Sequence, residues 1–123
     1  MAVAARSDPA THDARVRELL ERALPSLDGS RLKFRVFEVT YAPNGSDEPH
    51  RHPCPVIGYV LDGALRAGIG GGPERILRVG DTFFEPANEI HRVSANSSEK
   101  EPVRFLAIFL CDNTRPLSVA EPR

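Results

Sequence analysis

The chain has 123 residues, 41% hydrophobic and 27% charged, with 16 basic against 17 acidic residues and a formal net charge of −1. That length supports one core and is too short for two domains. Balanced charge excludes the basic stripe that a phosphate backbone demands, so nucleic acid is not an expected partner. No apolar run is long enough to span a bilayer, and Met1-Ala2-Val3-Ala4-Ala5-Arg6 lacks the pattern of a secretory signal, so no membrane association is expected. The two cysteines, Cys54 and Cys111, do not make a disulfide framework and suit a reducing, cytoplasmic setting. Eleven prolines and nine glycines, mostly between apolar runs, predict many turns and little helix.

Residues 1–11 read as a loose arm. Over 12–24, Val16, Leu19, Leu20, Ala23 and Leu24 fall at helical spacing before Pro25, which predicts a short helix against the sheet edge or a partner subunit. A strand over 15–20 is the alternative. His12, in this arm, reads as a surface residue. After the turn at 27–30, residues 32–41 alternate and are rich in β-formers, which predicts a strand. Further strands are expected at 48–52, 56–62, 64–69, 74–78, 82–85, 91–94 and 103–110. Asp62-Gly63, 70–73 and Gly80-Asp81 supply turns between them. Many short strands at close spacing predict an all-β sandwich or barrel over 30–111, with 1–29 as arm or helix and 112–123 as a Pro-rich tail.

Three of the four histidines stand out. His50 and His52 are two apart, so on an extended strand both imidazoles point to one face. His91 follows a strand-like run some forty residues later. Imidazole is the commonest protein ligand for transition metals, so three histidines converging in a sheet would make a metal site. The bland alternative for His50 and His52 is a pair of surface histidines.

Gly45, His50, His52 and Gly63, followed by Gly80, Pro86, Asn88, His91 and Asn96, stand in an order and spacing that resemble the two motifs of the cupin superfamily. Over residues 30–111 the chain is similar to small, stand-alone, single-domain bacterial cupins with His-Arg-His-Pro and a Phe-Glu-Pro segment. The resemblance implies a jelly-roll barrel with its site in the mouth, a homodimer, and His50, His52 and His91 as metal ligands. There are departures. Asn88 stands where glycine is usual, Asn96 lies one place late, and the usual glutamate of the first motif is replaced by Val56. Cys54, Asp62, Glu85 and Glu89 are the nearby substitutes, none at the expected place.

The expected chemistry is that of a metal-dependent enzyme acting on a small, oxygen-rich organic molecule. Dioxygenase-like turnover at a three-histidine centre leads, with Fe as the first metal and Mn, Ni, Cu or Zn as alternatives. Isomerase, cyclase or decarboxylase chemistry on a chelated substrate is the alternative, as is a non-catalytic binding or sensing module, which the loss of the acidic ligand motivates. A site without a carboxylate keeps more positive charge and favours an anionic chelating substrate. No catalytic group stands out: Glu89, Cys54 and Arg66 are the candidates. Cys54 otherwise reads as a partly buried thiol, and Cys111 as core or sheet edge. Arg66 is either an inward carboxylate clamp or a solvated side chain. Glu85 reads as a strand-end residue bonded to a loop. By alternation Tyr59 packs outside, and Phe83, Phe84, Phe105 and Phe109 read as core.

Overall fold

The computed structural model describes residues 14–121, and every regular element among them is a strand. In chain order these are β1 (Lys33–Tyr41), β2 (Ser46–Asp47), β3 (His50–Arg51), β4 (Val56–Asp62), β5 (Ala64–Ile69), β6 (Arg75–Arg78), β7 (Thr82–Glu85), β8 (Ile90–Asn96), β9 (Val103–Cys111) and β10 (Val119–Ala120). They pair antiparallel in two sheets. One runs β1-β9-β4-β7, and the other runs β10-β3-β8-β5-β6 with β2 also paired to β8.

Alternation explains why the sheets face each other. In β9 the buried positions are Val103, Phe105, Ala107, Phe109 and Cys111, every second residue. They join Val56 and Val60 of β4, Leu65 and Ala67 of β5, Leu77 of β6 and Phe83 of β7 in one cluster that spans both sheets. Gly58 is part of this fit: a Cβ there would stand 1.9 Å from the Phe83 ring, so only glycine lets that ring lie across β4. Gly63, in the β4–β5 turn, has φ +78° and no room for a side chain against the Pro102 carbonyl.

The other motif positions also have structural reasons. Asn88 has φ +68°, the left-handed conformation that glycine usually supplies and that asparagine tolerates best among the rest. Asn96 is buried. Its side-chain amide donates to the carbonyls of Ala42 (3.1 Å) and Glu101 (2.7 Å), and its Oδ1 accepts from Ser98 N (2.9 Å). It ties β8 to the chain after β1 and to the loop before β9.

Three expectations need correcting. Residues 14–24 of the expected 12–24 helix are not helical, and 12 and 13, with the His12 assignment, lie outside the described residues. The apolar stripe finds no core: Val16 is 55% exposed, and Leu19 and Leu24 are exposed too. A helix this short without a packed face is marginal in water. Second, Cys54 and Cys111 form a disulfide with a Cα–Cα distance of 5.0 Å. Neither is a free thiol, which removes the premise on which a reducing setting was expected. Third, the expected tail returns to the barrel, where β10 adds to β3. No helix among the described residues is long and apolar enough to cross a membrane.

Candidate metal centre

His50 and His91 are direct cross-strand partners between β3 and β8, and His52 follows at the end of β3 on the face of His50. The rings of His50 and His52 lie 4.7 Å apart and those of His50 and His91 5.1 Å apart. One ligand atom from each of the three falls within 4.8 Å of the others.

His91 reaches this position through an irregularity. In the β5–β8 ladder Gly68 pairs with Val93 but Ile69 pairs with His91, so Arg92 is an extra residue in β8. Ser94 and His91 are three apart, and strict alternation would put them on opposite faces. The bulge brings both to the same cavity. Arg92 turns outward, where Nη2 donates to the Gly72 carbonyl at 2.6 Å and Nε to that of Gly70. Those bonds hold the bulge and the glycine loop together.

The hydrogen bonds fix which nitrogens face inward. His50 Nδ1 lies 2.7 Å from the Glu48 carbonyl, and His52 Nδ1 lies 2.6 Å from the Leu117 carbonyl. A carbonyl only accepts, so each Nδ1 carries a proton, and Nε2 is the nitrogen that can offer a lone pair to the cavity. Burial holds the His52 pKa below its ordinary value, with Glu85 opposing this. The neutral ring is the form that binds a metal.

Glu85 is the residue that the sequence reading undervalued. It is 3% exposed, and its Oε2 stands 2.9 Å from His91 Nδ1 while Oε1 stands 3.7 Å from His52 Nε2. Despite that proximity, neither ring nitrogen of His91 nor Glu85 Oε1 makes a hydrogen bond. The signal was available: Glu85 is two residues after Phe83 on β7, so a core assignment for Phe83 carries Glu85 inward too.

The named catalytic candidates lie elsewhere. Arg66 is exposed and pairs with Glu74 at 2.6 Å, so it does not clamp a substrate. Glu89 is exposed beside Gly70, away from the histidines. Cys54 is consumed by its disulfide. Asp62 is exposed at the end of β4, and Tyr59 does not line the cavity.

The histidines line a cavity of about 480 Å³, in the size range of small-molecule sites. Its walls are largely apolar, from Phe37, Val39, Phe83, Phe105, Phe109 and Leu117, and among the described residues no Lys or Arg lines it. Tyr41 contributes a hydroxyl 2.9 Å from that of Ser94. Burial, with smaller contributions from Asp47 and Glu85, pushes its pKa up to about 12. Two unpartnered nitrogens on a buried histidine, beside two histidines whose outer nitrogens are both anchored, fit a transition metal.

Similarity to known proteins agrees with this geometry. The "Cupin domain" family profile matches residues 37–109, more than half of the chain. A cupin-domain-containing oxidoreductase, srdB, of Neurospora crassa is 33% identical over 81 residues, covering 66% of this chain and 39% of that protein. Oxalate oxidase GF-2.8 of Triticum aestivum is 38% identical over 61 residues, covering 43% of this chain and 27% of that one. Among solved structures, oxalate oxidase in complex with the substrate analogue glycolate superposes with a TM-score of 0.62 at 30% identity, over 70% of this chain and 45% of that one. The match thus spans less than half the length of each of these relatives. With both motifs in one barrel and their histidines brought together, the chain belongs to the cupin family.

Proposed function

We propose that the chain is a metal-dependent cupin oxidoreductase whose substrate chelates the ion through oxygen and lays an apolar body against the cavity wall. The observation that carries this reading is the convergence of three buried or half-buried imidazoles in a cavity whose walls are largely apolar. The oxidoreductase class is supported by similarity to srdB and to oxalate oxidases. A divalent transition metal, with iron first and Mn, Ni, Cu or Zn as alternatives, would supply Lewis acidity and open positions for substrate oxygens or dioxygen.

The protein's own groups do the rest. Phe37, Phe105 and Phe109 shield the site from water and favour a substrate with an aromatic or alkyl body. With no Lys or Arg lining the cavity among the described residues, the centre itself is what offsets substrate charge there. That favours a diketone or a hydroxylated aromatic acid over a small dianion. The Tyr41 hydroxyl, kept protonated by burial, orients a substrate oxygen as a hydrogen-bond donor and is no base near neutral pH.

Untagged protein should carry near one equivalent of a transition metal, and His91→Ala should lose it. Oxygen uptake is then measured after anaerobic Fe(II) loading with diketones, hydroxylated aromatic acids, thiols, catechols and oxalate. Uptake with the first two groups is expected. Uptake with oxalate alone would overturn the substrate class. Substrate consumed without oxygen would move the reaction to isomerase, cyclase or decarboxylase chemistry. A metal-loaded protein that binds these molecules but turns none over is a sensing module.

A further inference from the structure

We propose that Glu85 is the fourth protein ligand of the centre, supplied from β7 in place of the carboxylate that the first cupin motif would carry at Val56. This rests on the reading that His50, His52 and His91 hold a metal. The β4–β7 ladder is the first support: Val56 and Glu85 are direct cross-strand partners, at 1% and 3% exposure, so both side chains enter the barrel at one level. Moving a carboxylate from one partner to the other shifts its origin by a single strand spacing. A glutamate is long enough to cover that shift.

The second support is the contact geometry. Glu85 Oε2 lies 2.9 Å from His91 Nδ1, yet no N–H of that ring is directed along the contact. Two donors bound to one ion with bonds of about 2.1 Å sit about 3 Å apart on neighbouring vertices, with their lone pairs aimed at the ion and not at each other. Had Glu85 served only to orient His91, an N–H···O hydrogen bond would be expected in its place. Oε1, 3.7 Å from His52 Nε2, is likewise without a hydrogen bond.

The third support is energetic. A buried carboxylate lying against His91 and His52, with an Oε1 that finds no hydrogen bond among the described residues, destabilises the fold unless something cationic shares the space. Aliphatic side chains would fill the same volume at no such cost. The assignment also reverses an expectation from the sequence: the centre carries a carboxylate after all, so it holds less positive charge than three histidines alone would give.

The test uses the full chain and Co(II), with binding read by chelator competition and geometry by the d–d absorption of the bound ion. Glu85→Val should weaken Co(II) binding by more than about a hundredfold, beyond the roughly 10–100-fold that loss of an outer partner costs. The metal-free variant should melt at a higher temperature than the metal-free parent, because an unpaired buried carboxylate is gone. Val56→Glu added to Glu85→Val should recover most of the affinity. Glu85→Gln, close in shape, should shift the Co(II) spectrum. If Glu85→Val or Glu85→Gln keeps both affinity and spectrum while His91→Ala abolishes binding, the metal reading stands and Glu85 is not a ligand. Weakened affinity with an unchanged spectrum makes Glu85 a positioning residue and also overturns the ligand assignment. If His91→Ala still binds one equivalent in the same way, the metal reading itself fails.

Discussion

At the scale of single residues, burial sets the chemistry of the site. The same desolvation that lowers the His52 pKa, favouring the neutral ring that can ligate, raises the pKa of the Tyr41 phenol. The sign of the Tyr41 effect on stability follows. Its folded pKa of about 12 stands above an unfolded value of about 10. The contribution is therefore complete below pH 10 and is lost as pH rises through 12, because the unfolded chain gives up the proton first. Urea unfolding from pH 9 to 12 should show a fall in stability that is shallower in Tyr41→Phe. At neutral pH that variant should be less stable by about 1 kcal/mol, from the lost hydrogen bond with Ser94. An equally steep alkaline fall in the variant would remove Tyr41 as its source.

Elements contribute through irregularity more than through regular pairing. The bulge at Arg92 brings His91 to the face of Ser94, and the return of β10 to β3 places the Leu117 carbonyl on His52 Nδ1. Glu121 secures that return through its amide on the Pro49 carbonyl (2.9 Å) and an ion pair with Arg51 (2.6 Å). The ion pair is solvent-exposed on its Arg51 side and contributes little to stability. The C-terminal segment is thus part of the candidate site, because it fixes the tautomer of His52. Truncation after Arg115 should leave the barrel folded and weaken metal binding by roughly 10–100-fold, read by the same chelator competition. Unchanged affinity would show that the Leu117 carbonyl is replaceable by water. The Cys54–Cys111 bridge braces the same region, joining the segment just after His52 to the end of β9 across 57 residues of chain. Closing a loop of that length contributes about 4 kcal/mol on a chain-entropy estimate.

At the scale of the whole molecule, the described residues leave one sheet face uncovered. Phe34 and Val36 on β1 are 72% and 60% exposed, and they pair across the ladder with Leu110 and Ile108 of β9. Ile57 of β4, also exposed, flanks Ile108. Contiguous apolar side chains on an outer sheet face favour burial against another surface. The homodimer expected from the family resemblance supplies one, and we propose that it forms here. Light scattering should give a dimer that Phe34→Asp with Val36→Asp converts to a monomer. A parent that is monomeric at micromolar concentration would sink the idea.

Much of the barrel was legible in residue order, because strand formation is local. Alternation marked β1, β4, β5 and β9 to within a residue or two, and the glycine and Asp-Gly turns separated them. His50, His52 and His91 stood out by spacing, and Val56 marked a missing carboxylate. The rest depended on contacts distant in sequence. That β7 lies beside β4, placing Glu85 opposite Val56, is a fact of sheet order that periodicity does not encode. The Arg92 bulge breaks the parity on which strand facing is inferred. The Cys54–Cys111 bridge and the return of β10 join segments 57 or more residues apart. Sequence alone determined an all-β barrel and three histidines at ligand spacing, because both follow from local pattern, and the resemblance of its two motifs pointed to the cupin family. Tertiary structure decided the carboxylate beside them and the segment that orients His52, because both depend on which strands meet.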